Sequence, residues 1–214
     1  MVATRAYGQY CGFARAIELI GERWAMLLIR DLLVGPKRFT DLQRGLPKIP
    51  SNVLTTRLKE LEESGIVRRR AQPRPAGGIA YELTEDGQDL EKAVIALGRW
   101  GAKHLDDVRP DEIVTDDSMA MALRTTFRPE AAARDDIAFE LRLGEVVVNA
   151  KVRKGTIVVG RGPLPAPDLV IESGPAIRAL MAGEITPKQA LKDGTIHVRG
   201  KRALLDRFVA IFRI

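Results

Sequence analysis

Between the breaker Gly35-Pro36 and the paired glycines Gly77-Gly78, the chain is forced into short elements by closely spaced prolines and glycines, and this constrains the fold more than any other feature. The segment Thr40 to Gly45 suits a short helix, with Thr40 as its N-cap. After Leu46-Pro47-Lys48-Ile49-Pro50 comes Ser51 to about Glu63, in which Leu54, Leu58 and Leu61 recur at i, i+4, i+7 and Ser51 stands at the cap position. Two prolines in the connection exclude one continuous helix, so the spacing predicts two helices across a short turn. Beyond Gly65, Ile66 to Arg70 reads as a strand and Ile79 to Leu83 as its partner, joined by a proline- and glycine-rich tip from Gln72 to Gly78. Such a hairpin beside a helix-turn-helix is a wing.

Upstream, Phe13, Ala14, Ile17, Leu19 and Ile20 suit a helix ending at Gly21. Trp24, Leu27, Leu28, Ile29 and Leu32 form a broad apolar stripe over a second helix, from about Glu22 to Leu33. Downstream, Thr84 caps a predicted helix running from Glu85 to His104, on which Leu90, Val94, Leu97 and Trp100 keep helical spacing. An apolar face of that length exceeds what a small winged core covers and predicts a partner subunit.

The predicted organisation is a winged helix domain over 1–105, a polar linker over 106–117 and a second domain over 118–214. In the second, Ile137, Phe139, Leu141 and Leu143 alternate with Ala138, Glu140 and Arg142, as in a half-buried strand turning at Gly144-Glu145. Val146 to Val152, Thr156 to Val159 and Asp168 to Ile171 complete an expected antiparallel meander. Helical spacing returns at Pro175 to Ala182, Pro187 to Lys192 and Ala203 to Phe212, with a strand at Thr195 to Val198. The fold class is α+β: a winged helix-turn-helix followed by an antiparallel sheet plus helices.

Charge placement narrows the function. The net charge is +6, and Lys37 to Arg74 alone carries ten basic against four acidic residues, leaving 24 of each elsewhere. A local surplus of this kind suits a polyanion such as double-stranded DNA, or else a solvated basic face. Opposite the leucines of the longer helix lie Asn52, Thr56, Lys59 and, more obliquely, Thr55. These are types that read base edges in the major groove, with Arg57 on the flank suited to a phosphate. Arg69, Arg70 and the tip residue Arg74 suit phosphate or minor-groove contacts. Strand alternation directs at most one of Arg69 and Arg70 outward, and Arg68 and Arg70 on one face have Glu62 and Glu63 as alternative partners.

Other classes lose support. Cys11 is the one cysteine and His104 and His197 are the two histidines, too few for a conventional zinc site, so no metal or cofactor is expected. Paired carboxylates, a nucleophile elbow and a phosphate-binding glycine loop are all missing from 117–214, so an enzyme is not expected. No secretory signal or apolar stretch of membrane-spanning length is read, which makes cytoplasmic residence the expectation and a membrane partner an unexpected one.

Two resemblances follow. Ile17-Glu18-Leu19-Ile20-Gly21-Glu22-Arg23-Trp24, Arg38-Phe39-Thr40-Asp41-Leu42, Leu54-Thr55-Thr56-Arg57-Leu58-Lys59-Glu60-Leu61, Gly65-Ile66-Val67-Arg68-Arg69 and Tyr81-Glu82-Leu83-Thr84 resemble the HxlR-type winged helix regulators over residues 10 to 104. The resemblance implies a homodimeric bacterial transcriptional regulator, paired through N- and C-terminal helices, that reads a roughly palindromic operator. In that family a cysteine near the N-terminus is sometimes a redox sensor. Cys11 holds a similar place, although Gly12 follows where proline is frequent; a small buried thiol is the alternative.

From Asp168-Leu169-Val170-Ile171 through Leu180 to Leu191, Gly194 to Gly200 and Leu204 to Phe208, the chain resembles the sterol carrier protein type 2 fold over about 117–214. That resemblance implies an open sheet with helices around an apolar ligand tunnel. The candidate lining is Phe139, Leu180, Met181, Leu191, Phe208 and Phe212, residues that ordinary core packing also explains. A small apolar ligand modulating DNA binding is the resulting expectation. The rival reading is a lipid-binding or carrier protein whose basic domain serves assembly.

Overall fold

The computed structural model describes residues 6–73, 77–106 and 108–214. The chain divides into two compact units, Met1–Val94 and Ile95–Ile214.

In the first unit, α1 (Gly12–Ile20) precedes α2 (Ala25–Leu33), α3 (Phe39–Gly45) and α4 (Ser51–Glu63). β1 (Val67–Ala71) pairs antiparallel with β2 (Ile79–Leu83), matching Arg68 with Glu82 and Arg69 with Tyr81. Lys37 adds a third, single-residue rung through reciprocal backbone bonds with Tyr81 of 2.9 and 2.7 Å. The core gathers Leu28, Ile29 and Leu32 of α2, Leu42 of α3, and Leu54, Leu58 and Leu61 of α4. Removing these aliphatic side chains from water is the main force holding the three helices together, at roughly 1.5–3 kcal/mol each.

Several predicted boundaries move for local reasons. α2 starts at Ala25, not Glu22, because Trp24 is left-handed (φ 81°). That conformation costs a bulky residue about 1–2 kcal/mol, and the ring is held by core contacts and by the Arg23 guanidinium 5.2 Å from its centre. Arg38, not Thr40, is the N-cap of α3, where the Asp41 carboxylate accepts the Arg38 N–H at 3.2 Å. Pro50, extended at φ −65° and ψ 143°, caps α4 in place of Ser51, whose hydroxyl accepts a 2.6 Å bond from the Gln43 amide and so ties α3 to α4. The helix expected over Glu85 to His104 is two helices, α5 (Glu85–Asp89) and α6 (Glu91–Ala102). At the break the Leu90 N–H bonds the Gly87 carbonyl, a tighter i to i−3 pattern that re-aims the chain.

The second unit opens with the last turns of α6, followed by α7 (Asp116–Thr126), a helix not foreseen from the sequence. Thr115 caps it, with Ser118 closing a capping box and Asp116 and Asp117 in the first turn. Asp116 accepts the Val147 N–H at 3.1 Å, and Asp117 pairs with Arg161 at 3.0 Å, so both belong to the folded unit. The strands are β3 (Asp136–Leu143), β4 (Val146–Arg153), β5 (Thr156–Arg161), β6 (Leu169–Ser173) and β7 (Ile196–Gly200), with α8 (Ala176–Ala182), α9 (Pro187–Lys192) and α10 (Leu204–Ile211).

The sheet order is β5-β4-β3-β6-β7, and β6 lies parallel to β3. The sheet is therefore mixed, correcting the expected antiparallel one. Parallel neighbours ordinarily need crossovers of a dozen residues or more. Here the stagger shortens the path, since β5 ends at Arg161, level with Leu141, while β6 starts at Leu169, level with Phe139. The link must travel three strand spacings sideways and two residues back, roughly 16 Å, and residues 162–168 reach about 23 Å when extended.

Two inward side chains hold this crossover. Asn149 donates to the Gly162 carbonyl at 2.9 Å and Glu140 accepts the Leu164 N–H at 2.7 Å. The crossover covers that face of β3, so Glu140 is 1% exposed instead of solvated, and the half-buried strand read from alternation is buried on both faces. At its end the Asp168 carboxylate accepts the Ala138 N–H and pairs with Lys201, both near 3 Å. Gly200 (φ 104°) lies against the Asp168 carbonyl, leaving no space for a Cβ.

Candidate nucleic-acid interface

α4 has a sharply two-sided surface. Leu54, Leu58 and Leu61 are 0–1% exposed, whereas Asn52, Thr55, Thr56 and Lys59 face solvent. The Asn52 side-chain amide makes no hydrogen bond among the described residues, leaving its donor and acceptor edges open. Both threonine hydroxyls donate to the carbonyl four residues back, Thr55 to Ser51 and Thr56 to Asn52, each at 2.9 Å. Their protons are thus engaged, and what they present outward is a methyl group and an acceptor lone pair. Lys59 stands 3.6 Å from Glu63 and 69% exposed, free to swing to a phosphate or base edge.

Arg57, expected to meet a phosphate, is paired with two carboxylates in the free protein. Its guanidinium bonds Glu60 and reaches Glu22 at 3.1 Å with only 18% of the side chain exposed, so it fastens α4 to the turn before α2. A charge already neutralised by two carboxylates has little left for DNA.

The wing differs from the strand-alternation reading, because Arg68, Arg69 and Arg70 are all more than half exposed. The base of the ribbon, Val67 and Leu83, packs into the core; beyond it Arg68, Arg69 and Arg70 stand in solvent, so there alternation selects the partner and not burial. Arg68 and Arg70 share one carboxylate, that of Glu82, at 2.8 and 3.1 Å, instead of the expected Glu62 and Glu63. Arg69, on the opposite face, takes Glu62 at 3.1 Å and lies over the Tyr81 ring. The Arg68 hydrogen bond, aided by Arg70, holds the Glu82 carboxyl below the usual carboxylate range. Arg38, not among the expected DNA contacts, donates to the Gly77 carbonyl at 2.7 Å and anchors the wing to α3. Arg74 lies outside the described residues.

This arrangement presents a polar, hydrogen-bonding helix face and a basic ribbon on one small unit. The HxlR-like helix-turn-helix family model matches residues 19–109. Over 94 residues the chain is 34% identical to the uncharacterized HTH-type transcriptional regulator YvaP of Bacillus subtilis, a span covering 44% of this chain and 87% of that protein. The chain belongs to the HxlR-like family. A second relative, the uncharacterized HTH-type transcriptional regulator YdeP of Bacillus subtilis, is 33% identical over 46% of this chain and 77% of its own. Among solved structures, the redox regulator HypR in its oxidized form aligns at 35% identity and a TM-score of 0.42, over 46% of this chain and all of that one.

In this HxlR-like chain Cys11 is exposed, not a buried thiol. The N–H groups of Ala14 and then Phe13, at the start of α1, lower its pKa from the ordinary thiol value. Arg15, the basic residue nearest in sequence, pairs with Glu18 at 2.8 Å.

In the second unit, Phe139, Phe208 and Phe212 are wholly buried and packed on one another, with ring centres 4.8 to 5.9 Å apart. Leu180 and Met181, themselves 1% and 4% exposed, border an open concavity of about 200 Å³ with Ile185, Pro187, Val209 and Arg213. Leu191 is half-buried on α9 and outside that lining. Five of the six candidate ligand residues are thus buried, and of the six only Leu180 and Met181 border the concavity. No group of three or more potential metal ligands occurs among the described residues, and no described helix is long and apolar enough to cross a membrane.

Proposed function

We propose that this protein is a cytoplasmic, homodimeric transcriptional regulator and not an enzyme, reading a roughly palindromic operator with α4 in the major groove and β1 and β2 along the backbone. The observation carrying this reading is the outward face of α4: Asn52 with an uncommitted amide, Thr55 and Thr56 with outward methyl groups, and Lys59. Asn pairs with adenine through two bonds, and a methyl group meets the thymine methyl. Support for a dimer comes from apolar side chains left in water, Phe13 at 75% on α1 and Trp100 at 65% and Leu97 at 55% on α6. Gel-shift titration of selected against random duplexes, at several salt concentrations and with sedimentation of the free protein, tests the reading. Equal affinity for all duplexes, or a micromolar monomer that still binds its selected site tightly, overturns it.

The second unit has a sterol carrier-like design in this proposal, supported by its open five-stranded sheet flanked by helices. An apolar molecule would lie against Leu180 and Met181, since Phe139, Phe208 and Phe212 already fill one another's space. Its effect on operator affinity must equal the effect of operator on its own affinity. Cys11 is the candidate chemical sensor, supported by its exposure and lowered pKa.

A further inference from the structure

We propose that the second unit binds a small dianion, of the phosphate monoester or dicarboxylate class, where Arg99, Arg128 and Arg213 surround one hollow at the end of α7. All three residues lie in that unit, and Arg213 stands between this hollow and the adjoining one bordered by Leu180 and Met181, so the two candidate sites share one side chain. The convergence has a backbone cause. Residues 126–128 and 211–213 form a short antiparallel bridge, with the Arg128 N–H bonding the Ile211 carbonyl at 2.8 Å and the Arg213 N–H bonding the Thr126 carbonyl at 2.9 Å. Phe127 and Phe212, at its centre, are buried with rings 5.9 Å apart. Alternation then turns the flanking Arg128 and Arg213 away from the core.

Arg99 reaches the same place from α6. Its Nε and Nη2 donate to the Thr125 and Phe127 carbonyls at 2.7 and 3.0 Å, groups that the end of α7 leaves without helical partners. Carbonyls are neutral, so this clamp orients the guanidinium without cancelling its charge. The hollow they share measures about 520 Å³ and opens to solvent. That is within the common size range of small-molecule sites, about 300–1,000 Å³.

Charge balance says what enters. Glu130 is the single acid lining the hollow, and it is bonded to Arg128 at 3.3 Å. The Arg213 side chain makes no hydrogen bond among the described residues; it rests beside Gly183 at the end of α8. Three arginines against one carboxylate leave two positive charges bordering the hollow, with the Arg213 guanidinium at its edge beside Gly183. Guanidinium forks match the paired oxygens of carboxylate and phosphate, which a point-charge lysine does not. A ligand with two negative charges neutralises the hollow, whereas an apolar molecule would strand these charges out of water.

The test uses the full chain, titrated calorimetrically with inorganic phosphate and with succinate at ionic strength matched by chloride. Saturable binding of either probe is expected, phosphate alone assigning a phosphoryl ligand, succinate alone a dicarboxylate, and both a dianion site indifferent to geometry. Arg213→Gln and Arg128→Gln should each weaken it about ten-fold, the scale of one lost charge-assisted contact. Lys151→Gln, the same charge change at an exposed position of β4, and Arg69→Gln on the wing should stay within about two-fold. Arg213→Lys, keeping charge but losing the fork, should fall between, which covers the case of a glutamine variant that folds poorly. No saturable heat beyond the chloride control, or binding lost in Arg69→Gln but intact in Arg213→Gln, overturns the proposal.

Discussion

Replacing Glu82 by glutamine separates the wing's folding role from its proposed DNA role. One carboxylate restrains two arginines, Arg68 at 2.8 Å and Arg70 at 3.1 Å, whose side chains are 65% and 57% exposed. Exposed ion pairs contribute about 0.2–1 kcal/mol each, and glutamine keeps an acceptor, so folding should lose no more than about 1 kcal/mol. On DNA the direction reverses, because phosphates compete with Glu82 for the same guanidinium groups. Each additional neutralised phosphate steepens the dependence of log affinity on log salt by about 0.9, so freeing two arginines should add roughly 1–2 to the slope. Relief of about 1 kcal/mol of competition is about a five-fold gain in affinity for any duplex. The Glu82 carboxyl is held low by Arg68 first and Arg70 next. A depressed folded pKa stabilises above the unfolded value and fades as pH falls through the folded one. The stability gap between wild type and Glu82→Gln should therefore close on acidification below the ordinary carboxylate range. Fluorescence anisotropy against potassium chloride, with selected and scrambled duplexes, reads the slope, and urea unfolding reads the stability. An unchanged slope and affinity would show that Arg68 and Arg70 touch no phosphate, and a loss of affinity would show that Glu82 positions the wing.

Three further changes probe separate parts of the chain. Asn52→Ala should cost roughly 1–3 kcal/mol on a selected duplex and little on a random one, read by competition gel shift; equal losses on both would remove Asn52 from base reading. Phe212→Ala should destabilise the second unit by about 3–5 kcal/mol in urea unfolding, since its ring is fully buried against Phe127, Phe139 and Phe208. A loss near zero would mean that the ring lines a cavity instead of filling it. The alkylation rate of Cys11 should reach half its alkaline plateau at a pH below that of a free cysteine, because the amides of Ala14 and Phe13 favour the thiolate. A midpoint at or above the free value refutes that arrangement.

The first unit was largely legible in the sequence, because its information is local. Pro47, Pro50, Gly35 and Gly65 punctuate elements, leucine spacing fixes which face of α4 is buried, and the hairpin partners lie close along the chain. Where that reading failed, a distant partner had decided the outcome. Arg57 met Glu22, and Arg68 and Arg70 met Glu82 instead of the helix end, because ion pairing depends on which side chains folding brings together. α7 was missed although Thr115, Asp116, Asp117 and Ser118 spell a readable cap. In the second unit the sequence determined that Ile137 to Leu143 and Val146 to Val152 are strands, through alternation and turn residues. Tertiary structure alone decided that β6 would cross to the far side of β3 and bury Glu140, since the spacing between strands in sequence carries no record of their order in a sheet. The same holds for Arg99, Arg128 and Arg213: ordinary surface arginines when read singly, they share one hollow because a two-phenylalanine bridge and the end of α7 place them there.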